Sequence, residues 1–151
     1  MDMKARCKAY KDLNREIDLQ IERLERMEDK AKAPSAANLS GMPKSSPVRD
    51  RLASDVVMIA DLKAEIMELM EERDAERKAL DGLISRLRNP ENRLVLRLRY
   101  LDFEEWEDVI FTAYGSKPDF NEKYDNYKQR AFRHHKQALS ELEALEQEDL
   151  T

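Results

Sequence analysis

The chain has 151 residues, 39% of them charged, and a formal net charge of -5. Only three glycines occur, and this composition favours long, solvent-exposed helices over a large globular core. No run of about 18 apolar residues is present, so we expect no membrane span. The N-terminal MDMKARCKAYKDLNRE lacks the apolar stretch of a signal peptide, and the single Cys7 fits a reducing cytoplasm, where we expect the protein to act.

Apolar residues recur every three or four positions between residues 10 and 27, which predicts one amphipathic helix. They are Tyr10, Leu13, Ile17, Ile21, Leu24 and Met27. The helix is expected to fade near Lys32, because the following KAPSAANLSGMPKSSPVRD holds prolines and a glycine among small polar residues. Residues 33–50 are therefore predicted to be a flexible linker.

A second helix is predicted from about Val48 to Arg88, with leucine and isoleucine at heptad spacing. The seam consists of Leu52, Ile59, Ile66, Leu80 and Leu87, accompanied by Leu62, Leu69 and Leu83. Arg73 and Glu76 interrupt it, as polar residues that set the register of a coiled coil do. Residues 1–88 thus form a predicted helical hairpin or coiled coil, and the spacing leaves open whether its helices pair within one chain or between chains.

Asn89 and Pro90 predict a helix start, since Asn is a good N-cap and proline is tolerated at the first helical position. This helix is expected to cover about 90–101. Arg93 and Arg97 lie four residues apart and share one outward face. That face is expected either to track DNA phosphates or to pair with acidic residues of the next helix, namely Glu104, Glu105, Glu107 and Asp108.

Two more helices complete the second domain, residues 89–151. Asp102 is expected to cap the first of them, with Glu105 closing a capping box. This helix carries Trp106 and is expected to end at Gly115 in a left-handed turn. The last helix is expected to cover about 121–147. Its predicted inner residues are Tyr124, Tyr127, Ala131, Ala138, Leu142 and Leu145.

The last helix concentrates positive charge. Four cations fall within nine residues without an acidic residue among them: Lys128, Arg130, Arg133 and Lys136. Gln129, His134, His135 and Gln137 are interleaved with them. A helix-turn-helix needs a recognition helix that reaches base edges while neighbouring cations hold phosphates, and Arg and Gln suit bidentate readout of guanine and adenine. The alternative is a solvated face balanced by the acidic tail SELEALEQEDL.

The segments NRLVLRLRYLDFEEWEDVI and YKQRAFRHHKQALSEL together resemble region 4 of sigma-70-type factors. The whole layout is similar to phage transcriptional regulators of the RinA/ArpU type, in which a long helical segment precedes a sigma-like helix-turn-helix. Over the first 88 residues the resemblance is one of architecture only. The connection from Gly115 to Tyr127 is longer than the tight turn of a helix-turn-helix, which indicates either an early helix start or an insertion.

The resemblance implies an all-α fold and a phage-encoded regulator that activates late genes by binding double-stranded promoter DNA. It also implies host RNA polymerase as a protein partner, and the N-terminal helices could form a homodimer. The expected scaffold residues are Arg99, Tyr100, Trp106, Ile110, Ala138 and Leu142. The expected DNA-contacting residues are Arg97, Lys128, Gln129, Arg130, Arg133, His134, Lys136 and Gln137.

Catalysis and metal binding are not expected. His134 and His135 are adjacent on a helix, point about 100° apart and cannot chelate one ion together. HExxH, CxxC, GxxxxGK[ST] and GxSxG motifs do not occur in the sequence. We therefore predict neither an enzyme nor a cofactor.

Two further functions fit the same sequence. One is a helical interaction protein that binds host RNA polymerase or another host protein, favoured by the net acidity. The other is a DNA-packaging component such as a terminase small subunit, which also joins a helix-turn-helix to helical oligomerisation elements. An oligomer of eight or more chains would favour packaging, whereas a monomer or dimer would favour the regulator.

Overall fold

The structure, a computed structural model, describes residues 2–32 and 46–151, and the fold of these residues is all-α, as predicted. Within these described residues, five α-helices follow one another: α1 Met3–Lys32, α2 Ser46–Ser85, α3 Pro90–Leu96, α4 Trp106–Tyr114 and α5 Tyr124–Leu150. A π-helical turn, Arg97–Leu101, continues α3. The first helix ends at Lys32 as expected. The predicted linker falls mostly on residues 33–45, outside the described part, but residues 46–50 already belong to α2.

The chain divides into two compact units, and the division cuts α1 after Asp12 and α2 after Arg73. The hairpin unit is Leu13–Arg73, and the α3–α5 unit is Met1–Asp12 with Asp74–Thr151. The predicted boundary between residues 88 and 89 lies inside the α3–α5 unit. The physical reason is that the last turns of α2 share an apolar core with the helices that follow.

In the hairpin unit the two helices pack against each other within one chain. Ile17 of α1 and Leu62 and Ile66 of α2 are buried, and Lys63 Nζ lies 3.8 Å from Glu28 Oε1. These contacts answer the question that the heptad spacing left open. Leu52 was predicted to belong to the seam, but it is 49% exposed, so this part of the prediction is wrong.

The core of the α3–α5 unit combines the start of α1, the end of α2 and the C-terminal helices. Its buried residues are Met3, Cys7, Tyr10, Leu80, Leu83, Ile84, Leu87, Leu96, Leu101, Ala138 and Leu142. Glu76, which interrupts the apolar seam of α2, is paired in this unit. Arg6 donates to its carboxylate from Nη2 at 2.6 Å. Arg6 also donates to Glu146 of α5 at 2.8 Å, so one arginine ties α1 to α2 and α5.

The start of α3 follows the sequence prediction. The side chain of Asn89 accepts a hydrogen bond from the backbone N–H of Glu91 at 2.9 Å, and Pro90 occupies the first helical position. In the π-helical turn the backbone hydrogen bonds span five residues instead of four, and Asp102 N–H donates to the carbonyl of Arg97 at 2.9 Å.

The predicted capping box at the start of α4 is wrong. Asp102 ends the π-helical turn instead of capping α4, whose N-cap is Glu105 without a side-chain hydrogen bond. Phe103 lies between them with φ of +57°, an uncommon backbone conformation for an aromatic residue. Its ring stacks on Tyr10 at a centroid distance of 5.6 Å, so packing holds the strained turn in place.

The end of α4 also differs from the expectation. Gly115 is right-handed, with φ of -59°, so the predicted left-handed turn is wrong. A glycine is needed for a different reason, because a Cβ at this position would meet the carbonyl oxygen of Phe111. Residues 115–123 then form turns that lead into α5, which begins at Tyr124 and packs against α3 and α4.

Candidate nucleic-acid interface

One face of α5 is exposed along its middle turns. Gln129, Arg133 and Lys136 are spaced by four and three residues, so their side chains share this face, and Gln137 borders it; all four are exposed. The opposite face holds the buried residues Ala131, Ala138 and Leu142. We call Gln129, Arg133, Lys136 and Gln137 the outer face of α5.

The outer face is cationic without compensation. Residues 126–140 contain no acidic side chain, and Arg133 and Lys136 form no salt bridge within the part of the chain that the structure describes. Lys128 is also exposed, with Nζ 5.9 Å from the centre of the Phe132 ring. These cations are therefore available to an anionic partner.

Arg130 is directed elsewhere than Arg133. Its guanidinium donates two hydrogen bonds to the carboxylate of Glu91 in α3, from Nε to Oε2 at 3.0 Å and from Nη2 to Oε1. It also lies 5.4 Å from the centre of the Tyr114 ring. The hydrogen bond to Glu91 raises the pKa of Arg130. Although predicted to contact DNA, Arg130 is engaged in a contact within the protein.

His134 also turns toward α3 and away from the outer face. Its side chain is 13% exposed, with Nδ1 2.7 Å from Asn92 Oδ1 and Nε2 2.8 Å from Glu91 Oε2. Asn92 itself is fully buried. A side chain enclosed in this way is not placed to reach a DNA groove, although sequence reasoning grouped it with the DNA-contacting residues.

Arg97 belongs to a contact with α2. It donates from Nε to Asp81 Oδ1 at 3.0 Å and from Nη2 to Ser85 Oγ at 2.8 Å. Arg93 donates to the carbonyl of Leu87 at 2.6 Å. The expectation that either pairs with the acids of the following helix is wrong; among those acids, Glu105 pairs with Arg99 instead, at 3.7 Å.

Two of the predicted scaffold residues, Arg99 and Trp106, pack against each other. Arg99 donates to the carbonyl oxygen of Glu104 at 2.9 Å and lies 5.2 Å from the centre of the Trp106 ring. Trp106 is partly buried and meets Phe132 and His135 edge-on, at centroid distances of 4.8 and 4.9 Å. Three other predicted scaffold residues are buried beneath the helices: Ile110, Ala138 and Leu142.

Tyr100 completes this cluster by holding His135. Tyr100 Oη lies 2.5 Å from His135 Nε2, and the two rings stack at 5.5 Å. Burial lowers the pKa of His135 to about 4, and the charges of Lys4 and Arg99 act in the same direction. Burial raises the pKa of Tyr100 to about 12. Both groups are therefore neutral at pH 7, and one hydrogen bond joins the Tyr100 hydroxyl to the imidazole.

Glu91 is the residue that sequence reasoning missed. It accepts hydrogen bonds from Arg130 and, at 3.0 Å, from Tyr114 Oη, so it joins α3 to both α4 and α5. Burial opposes ionisation, but hydrogen bonds from Arg130 and Tyr114 outweigh it and lower the pKa of Glu91. Glu91 and Arg130 are 39 residues apart, and no local pattern points from one to the other.

We expect Glu91→Gln to lower the free energy of unfolding at pH 7 by about 1–2 kcal/mol, because an amide accepts these hydrogen bonds more weakly and solvent screens part of the loss. The folded pKa lies below the ordinary 4.5, so the stabilisation is complete above about pH 5 and is lost as the pH falls through the folded pKa. Urea unfolding at pH 7 and pH 3 measures both effects.

Glu107→Gln is the matched control for this substitution. Glu107 occupies the second position of α4 as Glu91 does in α3, but it is exposed and unpaired in the described residues. It controls for the favourable effect of an acid near a helix N-terminus. Equal losses in the two variants would contradict the assigned role of Glu91.

Within residues 2–32 and 46–151, no group of three His, Cys, Asp or Glu side chains is placed to hold a metal ion. None of the described helices has the length and apolar character needed to cross a membrane. Comparisons with protein-family models, curated proteins and solved structures find no match to this chain.

Proposed function

We propose that this protein is a phage-encoded, DNA-binding transcriptional regulator of the RinA/ArpU type that acts in the host cytoplasm, with α5 as its recognition helix. The observation that carries this function is the exposed, uncompensated outer face of α5. The same proposal includes activation of late genes, contact with host RNA polymerase and homodimerisation through the N-terminal helices. It does not include a catalytic activity.

The dimensions of the outer face suit a DNA groove. From Gln129 to Lys136 the helix rises about 10 Å, and the major groove is about 12 Å wide. Arg133 and Gln129 carry side chains that form paired hydrogen bonds with guanine and adenine, respectively. Lys136 and Lys128 flank them and would hold phosphates. The net charge of -5 does not oppose this, because attraction to phosphates is screened over about 10 Å.

Arg97, Arg130 and His134 receive a different role. Each contacts another helix of the α3–α5 unit, so we assign them to holding α5 in position and not to DNA contact. Phosphates could compete for Arg130 only by displacing Glu91. The DNA-contacting set that we propose is therefore narrower than the sequence-based one: Lys128, Gln129, Arg133, Lys136 and Gln137.

Selection of duplexes from a random pool, followed by fluorescence anisotropy on the selected duplex and a scrambled one, tests this function. We expect affinity to fall steeply as salt rises, because bound phosphates release counterions. Arg133→Ala should weaken the selected duplex about tenfold or more while affecting the scrambled duplex less. Lys136→Ala should weaken both alike and reduce the salt dependence.

Lys78→Ala provides the control, since Lys78 is an exposed lysine on a different helix, α2. It should leave both affinities unchanged. Affinity that is independent of salt, or that falls equally in the Lys78 and Lys136 variants, would reject DNA binding by α5.

A further inference from the structure

The exposed side of α4 carries one large apolar side chain. Phe111 is 65% exposed, whereas Val109, Ile110 and Tyr114 on the other side of the same helix are buried. Its neighbours on this side are Glu107, Asp108 and Thr112, all exposed. We call these four residues the Phe111 face. Phe111 belongs to none of the buried core clusters, so burial in the core does not explain a phenylalanine at this position.

The Phe111 ring is held in place although it is exposed. Its edge meets Phe120 at a centroid distance of 6.1 Å. It also lies over Gly115, where a Cβ would come within 2.9 Å of one ring carbon. A ring that is already positioned loses little conformational freedom when a partner binds, and rigid aromatic side chains of this kind anchor protein interfaces.

The Phe111 face is acidic. Glu107 and Asp108 precede Phe111 by four and three residues, and neither forms a salt bridge in the described part of the chain. Nearby acids differ, since Asp102 pairs with Arg77 at 3.6 Å and Glu105 with Arg99 at 3.7 Å. Acids in a first turn stabilise the helix. That effect accounts for the two carboxylates but not for the exposed aromatic ring one turn later in the helix.

We propose that the Phe111 face is a docking surface for a protein segment that presents an apolar side chain flanked by lysine or arginine. Charge complementarity selects this occupant, because the unpaired carboxylates attract cations and repel the phosphates of nucleic acid. The surface has the opposite sign to the outer face of α5. It therefore adds a protein contact to the chain that is independent of the proposed DNA binding.

The test uses synthetic amphipathic helical peptides built from leucine, alanine and lysine, and counterparts with glutamate for lysine. Fluorescence anisotropy measures their binding to the full chain. We expect the lysine peptide to bind and the glutamate peptide not to bind. Phe111→Ser should weaken the lysine peptide about tenfold or more, as loss of an interface anchor does. Affinity for the duplex selected above should stay unchanged in Phe111→Ser.

Charge reversal provides a second, independent variant. Glu107→Lys with Asp108→Lys should reverse the preference, so that the glutamate peptide binds better than the lysine peptide. Leu150→Ser, a substitution of another exposed apolar residue, and Glu71→Lys with Glu72→Lys on α2 are the matched controls and should change neither affinity.

Equal binding of the lysine peptide to the parent chain and to Phe111→Ser would overturn this docking surface, as would a preference that does not follow the charge reversal. Light scattering at rising protein concentration tests whether a second copy of the chain occupies the surface. Self-association that Phe111→Ser abolishes would assign the surface to a second copy of the chain instead.

Discussion

Leu142→Ala is expected to lower the free energy of unfolding by about 3 kcal/mol, the largest stability effect of the substitutions considered. Leu142 of α5 is fully buried and belongs to a core that also contains Leu80 of α2 and Leu96 of α3. Truncation removes apolar contacts with several helices and leaves a cavity, because close-packed neighbours relax only partly into it. Urea or thermal unfolding followed by circular dichroism measures the loss.

Leu150→Ala is the matched control for Leu142. The same side chain is removed from the same helix, but Leu150 is 76% exposed, so the change should stay within about 0.5 kcal/mol. Similar effects at the two positions would mean that α5 is not packed on the α3–α5 core. The spacing of apolar residues in α5 and the structure both make Leu142 an inner residue. This pair of variants therefore tests the sequence-based prediction and the structure together.

His135 should make the protein less stable as the pH falls from about 6.5 to about 4. Burial lowers its pKa from 6.5 to about 4 in the folded chain, so within this range the unfolded chain binds the proton and the folded chain does not. Stability therefore rises with pH across this range and is fully present above it. A shift of this size corresponds to a loss of about 2–3 kcal/mol at the acidic end.

His135→Gln should flatten this dependence, because glutamine does not titrate and its amide can still form a hydrogen bond with the Tyr100 hydroxyl. Denaturant unfolding at a series of pH values between 7 and 4 provides the measurement. Glu91→Gln separates the two acid effects, since Glu91 acts only below about pH 5 and should leave the decline between pH 6.5 and 5 in place. A slope over that range that is identical in the parent chain and in His135→Gln would contradict the role given to His135.

Local signals predicted the helices well and their caps less well. Asn89-Pro90 marks the start of α3 because a cap hydrogen bond and the fixed φ of proline involve only adjacent residues. The capping box at Asp102 failed because the π-helical turn carries α3 on to Leu101 and leaves Asp102 as its end. Gly115 was correctly seen as the residue that follows α4, but the reason is close contact with Phe111 and not a left-handed turn.

The candidate site shows more clearly that local sequence signals do not predict contacts between distant residues. Arg130 and Arg133 are equally basic in the sequence, three residues apart on one helix. The structure pairs Arg130 with Glu91, whereas Arg133 stays exposed. Helical periodicity alone distinguishes faces but does not say which face another element will cover. The outcome depends on Glu91, which is far away in the chain.

The amino-acid sequence alone was enough to predict the all-α fold, the end of the first helix, the start of α3 and the cationic character of α5. Each of these depends on periodicity or on contacts between adjacent residues. The tertiary structure decided which cations face outward, which carboxylate holds Arg130, and that α1 and α2 pair within one chain. These are contacts between residues distant in sequence, and they form only when packed helices bring the partners together.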